Sequence, residues 1–225
     1  MKKMVRIIWD MHGNWKEYLS IIKWQKDTIQ VGDYWFVESH KQHIKHADAT
    51  KHKILFWNHD DYRYLTQDYS LWDYWAHTLS DWKEVFFIRW AYSIDFYVRN
   101  EWIDWWRNEE LTVEQGNDCV TMFWNNKPDI VISHDCPASI NHLYLWEYSN
   151  KINTRTWQIL DACFEAHQPS IRIHWHYHQR QANLIDWTWF ISLGAYTKHT
   201  EADYIDLLTD RRKFKFRKST KLHDY

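Results

Sequence analysis

Short apolar runs alternate along this chain with segments of helical periodicity, and that alternation predicts an α/β fold. Two further observations support the class. The runs are brief and rich in β-branched residues, as buried strands are. Several of them end on Asp, Asn or His, and in α/β sheets ligands gather beyond the carboxyl ends of strands.

Val5-Arg6-Ile7-Ile8 is the first strand. It runs into Asp10 and His12, and on extended backbone positions i and i+2 point to one side. Gly13-Asn14 supplies a turn, and Trp15 to Trp24 reads as a helix. Thr28-Ile29-Gln30-Val31 is a second strand, with Gly32-Asp33 directly beyond it. His40, His43 and His46 follow at a spacing of three among lysines, where neighbouring cations disfavour a metal and a solvated helix or loop is expected. Lys53 to Trp57 is the third strand, and Asn58-His59-Asp60-Asp61 succeeds it.

Residues 62–106 are rich in aromatic side chains and contain a strand at Glu84 to Ile88. Thr112-Val113-Glu114-Gln115 fits a capping box that opens a helix through about Trp124, with Gly116 costing some helix propensity. Asp129-Ile130-Val131-Ile132 is a strand leading into Ser133-His134-Asp135-Cys136-Pro137. Over residues 155–167, Trp157, Leu160, Cys163, Phe164 and His167 recur at helical spacing, and Pro169 closes the segment. Ile171 to His178 reads as a strand running into alternating histidines, and Trp187 to Leu193 as a last strand. Lys213 to Lys218 alternates basic and aromatic residues, as an edge strand or as a tail.

Size and composition bound the rest. The 225 residues contain only three prolines and no Gly/Ser/Pro-rich linker, so a single domain over residues 1–210 is expected, followed by a basic C-terminal tail at 211–225. That tail carries seven Lys/Arg against Asp224, a balance suited to contact with nucleic acid, although a solvated terminus is the commoner outcome. No apolar run approaches a membrane span, and Arg6 and Asp10 interrupt the stretch that a signal peptide would need after Met1-Lys2-Lys3. A cytoplasmic protein is expected. Cys119, Cys136 and Cys163 are odd in number and far apart, which points to buried, reduced thiols. The chain holds 4 glycines and 18 tryptophans, whereas an ordinary chain of this length would hold roughly 16 glycines.

Five strand ends deliver carboxylate, imidazole or amide groups, a donor set that suits Mn, Fe or Zn and, lacking thiolates, does not suit a structural zinc. Their order and spacing resemble the calcineurin-like metallophosphoesterases. That family's pattern is Asp-x-His, Gly-Asp, Gly-Asn-His-(Asp/Glu), a lone His and Gly-His-x-His. Here it reads Asp10-Met11-His12, Gly32-Asp33, Trp57-Asn58-His59-Asp60, His134 and Trp175-His176-Tyr177-His178, from residue 5 to about 193.

The resemblance implies a two-sheet sandwich with helices outside, an α/β/β/α arrangement. It implies two divalent ions, manganese favoured over iron or zinc. Asp10, His12 and His178 would hold one, Asn58, His134 and His176 the other, with Asp33 bridging them. The activity implied is hydrolysis of phosphate mono- or diesters by in-line attack of a metal-bridging hydroxide. His59 would protonate the leaving alkoxide, and Asp60 would orient its imidazole. His174 matches no ligand and reads as a hydrogen-bonded core histidine; His142 and His167 have no role.

Two motif glycines are tryptophan here, Trp57 and Trp175, and Trp9 stands where a glycine is usual. A bulky residue at positive φ costs on the order of 1–2 kcal/mol. Together with the composition, this suggests systematic replacement of glycine by tryptophan, with Trp24, Trp90, Trp146 and Trp187 as further candidates. Indoles turned outward would leave the metals room; indoles turned inward would crowd them. Tyr34-Trp35-Phe36 follows Gly32-Asp33 where protein Ser/Thr phosphatases continue Asp-Arg-Gly, which favours a small phosphoesterase over a dedicated protein phosphatase. Arg89 and Arg99 are candidates for phosphate contact, with ion-paired or solvated roles the commoner ones. The competing readings are a binding protein that has lost catalysis, contacting nucleic acid through the basic aromatic tail, and an inactive scaffold.

Overall fold

The computed structural model describes residues 4–8, 11, 13–31, 47–55, 60, 71, 74–79, 84–93, 96–101, 105–106, 109–143, 154–177, 179–194, 203–208 and 213–218. They form two β-sheets packed face to face with helices on the outer surfaces, the α/β sandwich expected. In the first sheet, β1 (Met4–Ile8) pairs in parallel with β2 (Thr28–Val31), which pairs in parallel with β3 (His52–Leu55). On the other side of β1 lie β10 (Asp203–Leu208) and β11 (Lys213–Lys218), both antiparallel to their neighbours. The second sheet has the order β4-β5-β6-β7-β9-β8. Its strands are β4 (Tyr74–Thr78), β5 (Glu84–Ile88), β6 (Ile130–Ser133), β7 (Ile171–His174), β8 (Gln181–Ile185) and β9 (Thr188–Ser192). β5, β6, β7 and β9 run parallel.

Strand alternation divides the apolar side chains between layers. Val5, Ile7, Ile29 and Val31 face Phe87, Ile130, Ile132, Ile171 and Ile173 across the space between the sheets. Full burial of each such aliphatic residue stabilises by about 1.5–3 kcal/mol. On the outer face of the first sheet, Ile8 and Ile54 meet Tyr18, Ile21 and Ile22 of α1 (Trp15–Ile22). On the outer face of the second, Phe86, Ile88 and Val131 meet α2 (Val113–Asn126) and α4 (Arg155–Ala166). α2 opens on the capping box: Gln115 N donates to Thr112 Oγ1 at 3.2 Å, and Thr112 N to Gln115 Oε1 at 2.9 Å. Gly116 gives room to the Ile159 side chain: a Cβ there would stand 2.6 Å from Ile159 Cδ1 and 2.8 Å from its Cγ1, so the isoleucine would have to shift.

Several element boundaries differ from the sequence reading. α1 ends at Ile22, and Trp24 occupies the third position of a turn closed by Gln25 N donating to Ile22 O at 2.9 Å. Trp187 is a turn residue between β8 and β9 rather than the start of a strand, and β9 is followed by β10 and β11. β7 stops at His174, so Trp175, His176 and Tyr177 lie on the turn beyond it. A short α3 (Ala138–Asn141) follows Pro137. Residues 213–218 form the edge-strand alternative: Phe214 packs against the inter-sheet core, while Lys215 and Arg217 are exposed. Cys119, Cys136 and Cys163 are buried free thiols, as expected. Among the described residues no helix is long and apolar enough to cross a membrane.

Candidate metal centre

Topology sets where chemistry can gather. β1, β2 and β3 are adjacent and parallel, so their carboxyl ends lie side by side; β6 and β7 do the same in the facing sheet. Asp10, Asp33 and Asn58 follow the last residues of β1, β2 and β3 by two, two and three positions. These three, with His12, His59 and His178, lie outside the described residues. So do Trp9, Trp57, Trp146 and the histidines at 40, 43 and 46.

Two expected ligands are described, and they meet. His134 follows β6, His176 follows β7, and His134 Nε2 stands 2.7 Å from His176 Nδ1. Backbone bonds align the two turns, with Trp175 N and His176 N donating to His134 O at 3.1 and 3.3 Å, and His134 N donating to Ile88 O at 3.3 Å. The Nε2 of His176 is buried and has no hydrogen-bond partner among the described residues. Two nitrogens bound at about 2.1 Å to one ion stand about 3 to 3.4 Å apart, so this pair would have to part by about 0.3 to 0.7 Å to share a divalent cation. Without an ion, the same contact is an imidazole–imidazole hydrogen bond with one ring donating. No three His, Cys, Asp or Glu side chains converge among the described residues. Asp60, expected to orient His59, is fully buried.

Beneath the pair lies a polar network that sequence reasoning did not single out. Asp135 is fully buried; its Oδ1 accepts from the Tyr177 hydroxyl and from Cys136 N at 2.8 Å, and its Oδ2 from Trp157 Nε1 at 2.6 Å. Burial, and then the Asp135 charge, pushes the Tyr177 phenol and the Cys136 thiol well up. Ser133 Oγ donates to Asp135 O at 2.7 Å and accepts from Arg172 Nε at 3.4 Å. The sequence carried one signal for this network: Asp135 and Tyr177 each directly follow an expected ligand.

His174 is the core histidine expected, fully buried. Burial, then Arg172 and His176, holds it down at about 3, so its ring is neutral at ordinary pH. His167 caps α4 and sits 3.0 Å from Pro128 O. Arg89 is buried, its guanidinium 4.5 Å from the Trp90 ring centre, and Arg99 is partly exposed.

No family model matches the chain, and no curated protein matches it. Solved structures do. An archaeal phosphodiesterase superposes with a TM-score of 0.53 at 13% identity, covering 96% of this chain and 100% of that one. A putative 5′-nucleotidase from Staphylococcus aureus, solved with α-ketoglutarate, gives a TM-score of 0.50 at 13% identity, covering 96% of this chain and 52% of that one. The chain has the calcineurin-like metallophosphoesterase fold. At such identities the likeness concerns the arrangement of the chain rather than its chemistry.

Within the metallophosphoesterase fold, the tryptophans at glycine-type positions divide into two groups. Trp24 (φ 69°) and Trp187 (φ 68°) have left-handed backbone, and both indoles are 88% exposed. Trp175 and Trp90 do not have positive φ, so the strain expected at Trp175 is absent. The Trp175 indole points inward, 1% exposed in the inter-sheet core, edge-on to the His134 ring at 5.3 Å between centres. The indole therefore meets an expected ligand in an ordinary T-shaped ring contact.

Proposed function

We propose that this chain is a divalent-metal-dependent phosphoester hydrolase acting on phosphate mono- or diesters. The observation that carries the reading is the 2.7 Å approach of His134 Nε2 to His176 Nδ1 at adjacent parallel strand ends of a metallophosphoesterase fold. His134 and His176 would hold one ion with Asn58, and Asp10, His12 and His178 a second, with Asp33 between them. When bound, a pair of divalent ions, manganese favoured over iron or zinc, supplies an acidified water and neutralises phosphoryl charge. His59 delivers a proton to the leaving alkoxide, and Asp60, a buried carboxylate, orients that imidazole.

The test is hydrolysis of bis(4-nitrophenyl) phosphate and 4-nitrophenyl phosphate by purified protein with Mn²⁺, before and after chelation. Metal-dependent turnover that His176→Ala and His134→Ala each abolish is expected. Equal rates in all three proteins, or none above buffer, would refute the reading and leave an inactive scaffold. A second reading, contact with nucleic acid through residues 211–225, is favoured by the exposed Lys215 and Arg217 on edge strand β11. It calls for binding that weakens steeply with salt and is lost in Lys215→Ala/Arg217→Ala.

A further inference from the structure

His134 and His176 stand on separate turns, yet two imidazole nitrogens must be held within about half an ångström of their working positions to share an ion. The β6–β7 ladder ends at Ile132 and Ile173, and beyond it the backbone ties the turns at His134 O, which receives both Trp175 N and His176 N. Beyond the end of that ladder the two turns can still shift against each other. One residue further along each segment, the Tyr177 hydroxyl donates to Asp135 Oδ1. We propose that this carboxylate–phenol bond is a positioning lock, which fixes the His134 turn against the His176 turn and so sets the spacing of the two imidazoles for metal.

Four observations carry the assignment. Asp135 and Tyr177 are the immediate chain neighbours of the two histidines, so their bond joins the two turns directly beside the imidazoles. The Tyr177 ring packs in an apolar cluster with Cys136, Ile140, Phe164 and Phe190, which anchors the donor. The other end is anchored too: Cys136 N and Trp157 Nε1 hold the Asp135 carboxylate at 2.8 and 2.6 Å, the second from helix α4. Tyr177 also lies between His176 and His178 in sequence, so its anchoring fixes the residue that joins the two expected ligands in the chain. Neither Asp135 nor Tyr177 would touch the metal or the substrate. They act through the histidines, as outer groups around metal sites do.

The inference rests on the metal reading proposed above, and the experiment separates the two. Tyr177→Phe keeps the ring and removes only the donor. Mn²⁺ affinity is measured by calorimetry on full-length wild type, Tyr177→Phe, Asp135→Asn and the double variant, alongside kcat and KM for bis(4-nitrophenyl) phosphate. Tyr177→Phe is expected to weaken Mn²⁺ binding on the order of tenfold, to lower kcat at a fixed limiting Mn²⁺ concentration and to leave KM unchanged. Because one bond is shared, the double variant should lose no more affinity than the weaker single variant. A Tyr177→Phe protein with a lowered melting temperature but wild-type Mn²⁺ affinity overturns the lock and leaves the hydrolase reading standing. So do losses that add in the double variant. Absence of Mn²⁺ binding by the wild type overturns both.

Discussion

Trp24 and Trp187 offer a direct test of glycine-type positions held by indole. Trp24 follows Lys23 (φ −52°, ψ 127°) in the turn from Ile22 to Gln25, a type II geometry whose third residue needs φ above zero. Asp186 (φ 47°) and Trp187 (φ 68°) form a two-residue connection between Ile185 and Thr188, a type I′ hairpin turn that ordinarily carries Asn-Gly or Asp-Gly. Left-handed backbone costs a bulky residue about 1–2 kcal/mol. Each indole is 88% exposed, so about an eighth of a ~200 Å² side chain is covered, worth about 0.6 kcal/mol. Glycine also loses about 0.4–1 kcal/mol through the freedom of the unfolded chain. Trp→Gly at either site is therefore expected to change stability by between about −0.6 and +1 kcal/mol.

The comparison with alanine isolates the backbone. At 24 and 187 glycine should be more stable than alanine by up to about 1.6 kcal/mol, centred on about 0.8, the strain relief less the unfolded-chain loss. At Trp124, half-exposed within helix α2, the order should reverse by about 1 kcal/mol. Urea melts of the six variants decide it. Alanine equal to or better than glycine at both turns would refute the left-handed assignment and the strain argument with it.

Asp206 accepts from Arg6 Nε and Nη2 at 2.7 and 3.1 Å and from Arg217 Nε at 3.2 Å. Asp206→Ala should cost about 3 kcal/mol by stranding the largely buried Arg6, while Arg217→Ala, removing a half-exposed partner, should cost under about 1 kcal/mol; urea denaturation measures both. Gly116→Ala should destabilise by about 1 kcal/mol, because the Cβ clash with Ile159 outweighs the gain in helix propensity, and thermal melts will show it. Burial lowers His52 from its ordinary 6.5, with the Asp48 charge opposing. Its folded pKa is depressed, so its stabilising contribution is present above 6.5 and is lost as pH falls below it, at no more than about 1.4 kcal/mol per pH unit. His52→Gln should flatten that acid limb in chemical melts run from pH 7.5 to 5.

The regular elements were legible wherever local chemistry agreed with the fold. The Thr112 capping box, the Thr28–Val31 run and the amphipathic face of Trp157, Leu160, Cys163 and Phe164 carry their own signals, because caps, β-branched runs and helical spacing act over a few residues. The β8–β9 hairpin was illegible for the same reason. Its turn signal is an Asp-Gly in which the glycine is Trp187, and the aromatic residue made a turn look like the start of a strand. Of the expected ligands, His134 and His176 could be named from their places after apolar runs, and the structure brings these two together.

By itself the sequence determined the α/β class, the strand ends that carry donors, and a motif order that pointed to the metallophosphoesterase fold. Those features repeat at short spacing or survive as ordered fragments. Only the tertiary structure decided that Trp175 turns inward against His134, that β11 joins the first sheet, and that Asp135 meets Tyr177 and Trp157. Each is a contact between residues far apart in the chain, selected by the packing of sheets and helices, and no local pattern encodes it.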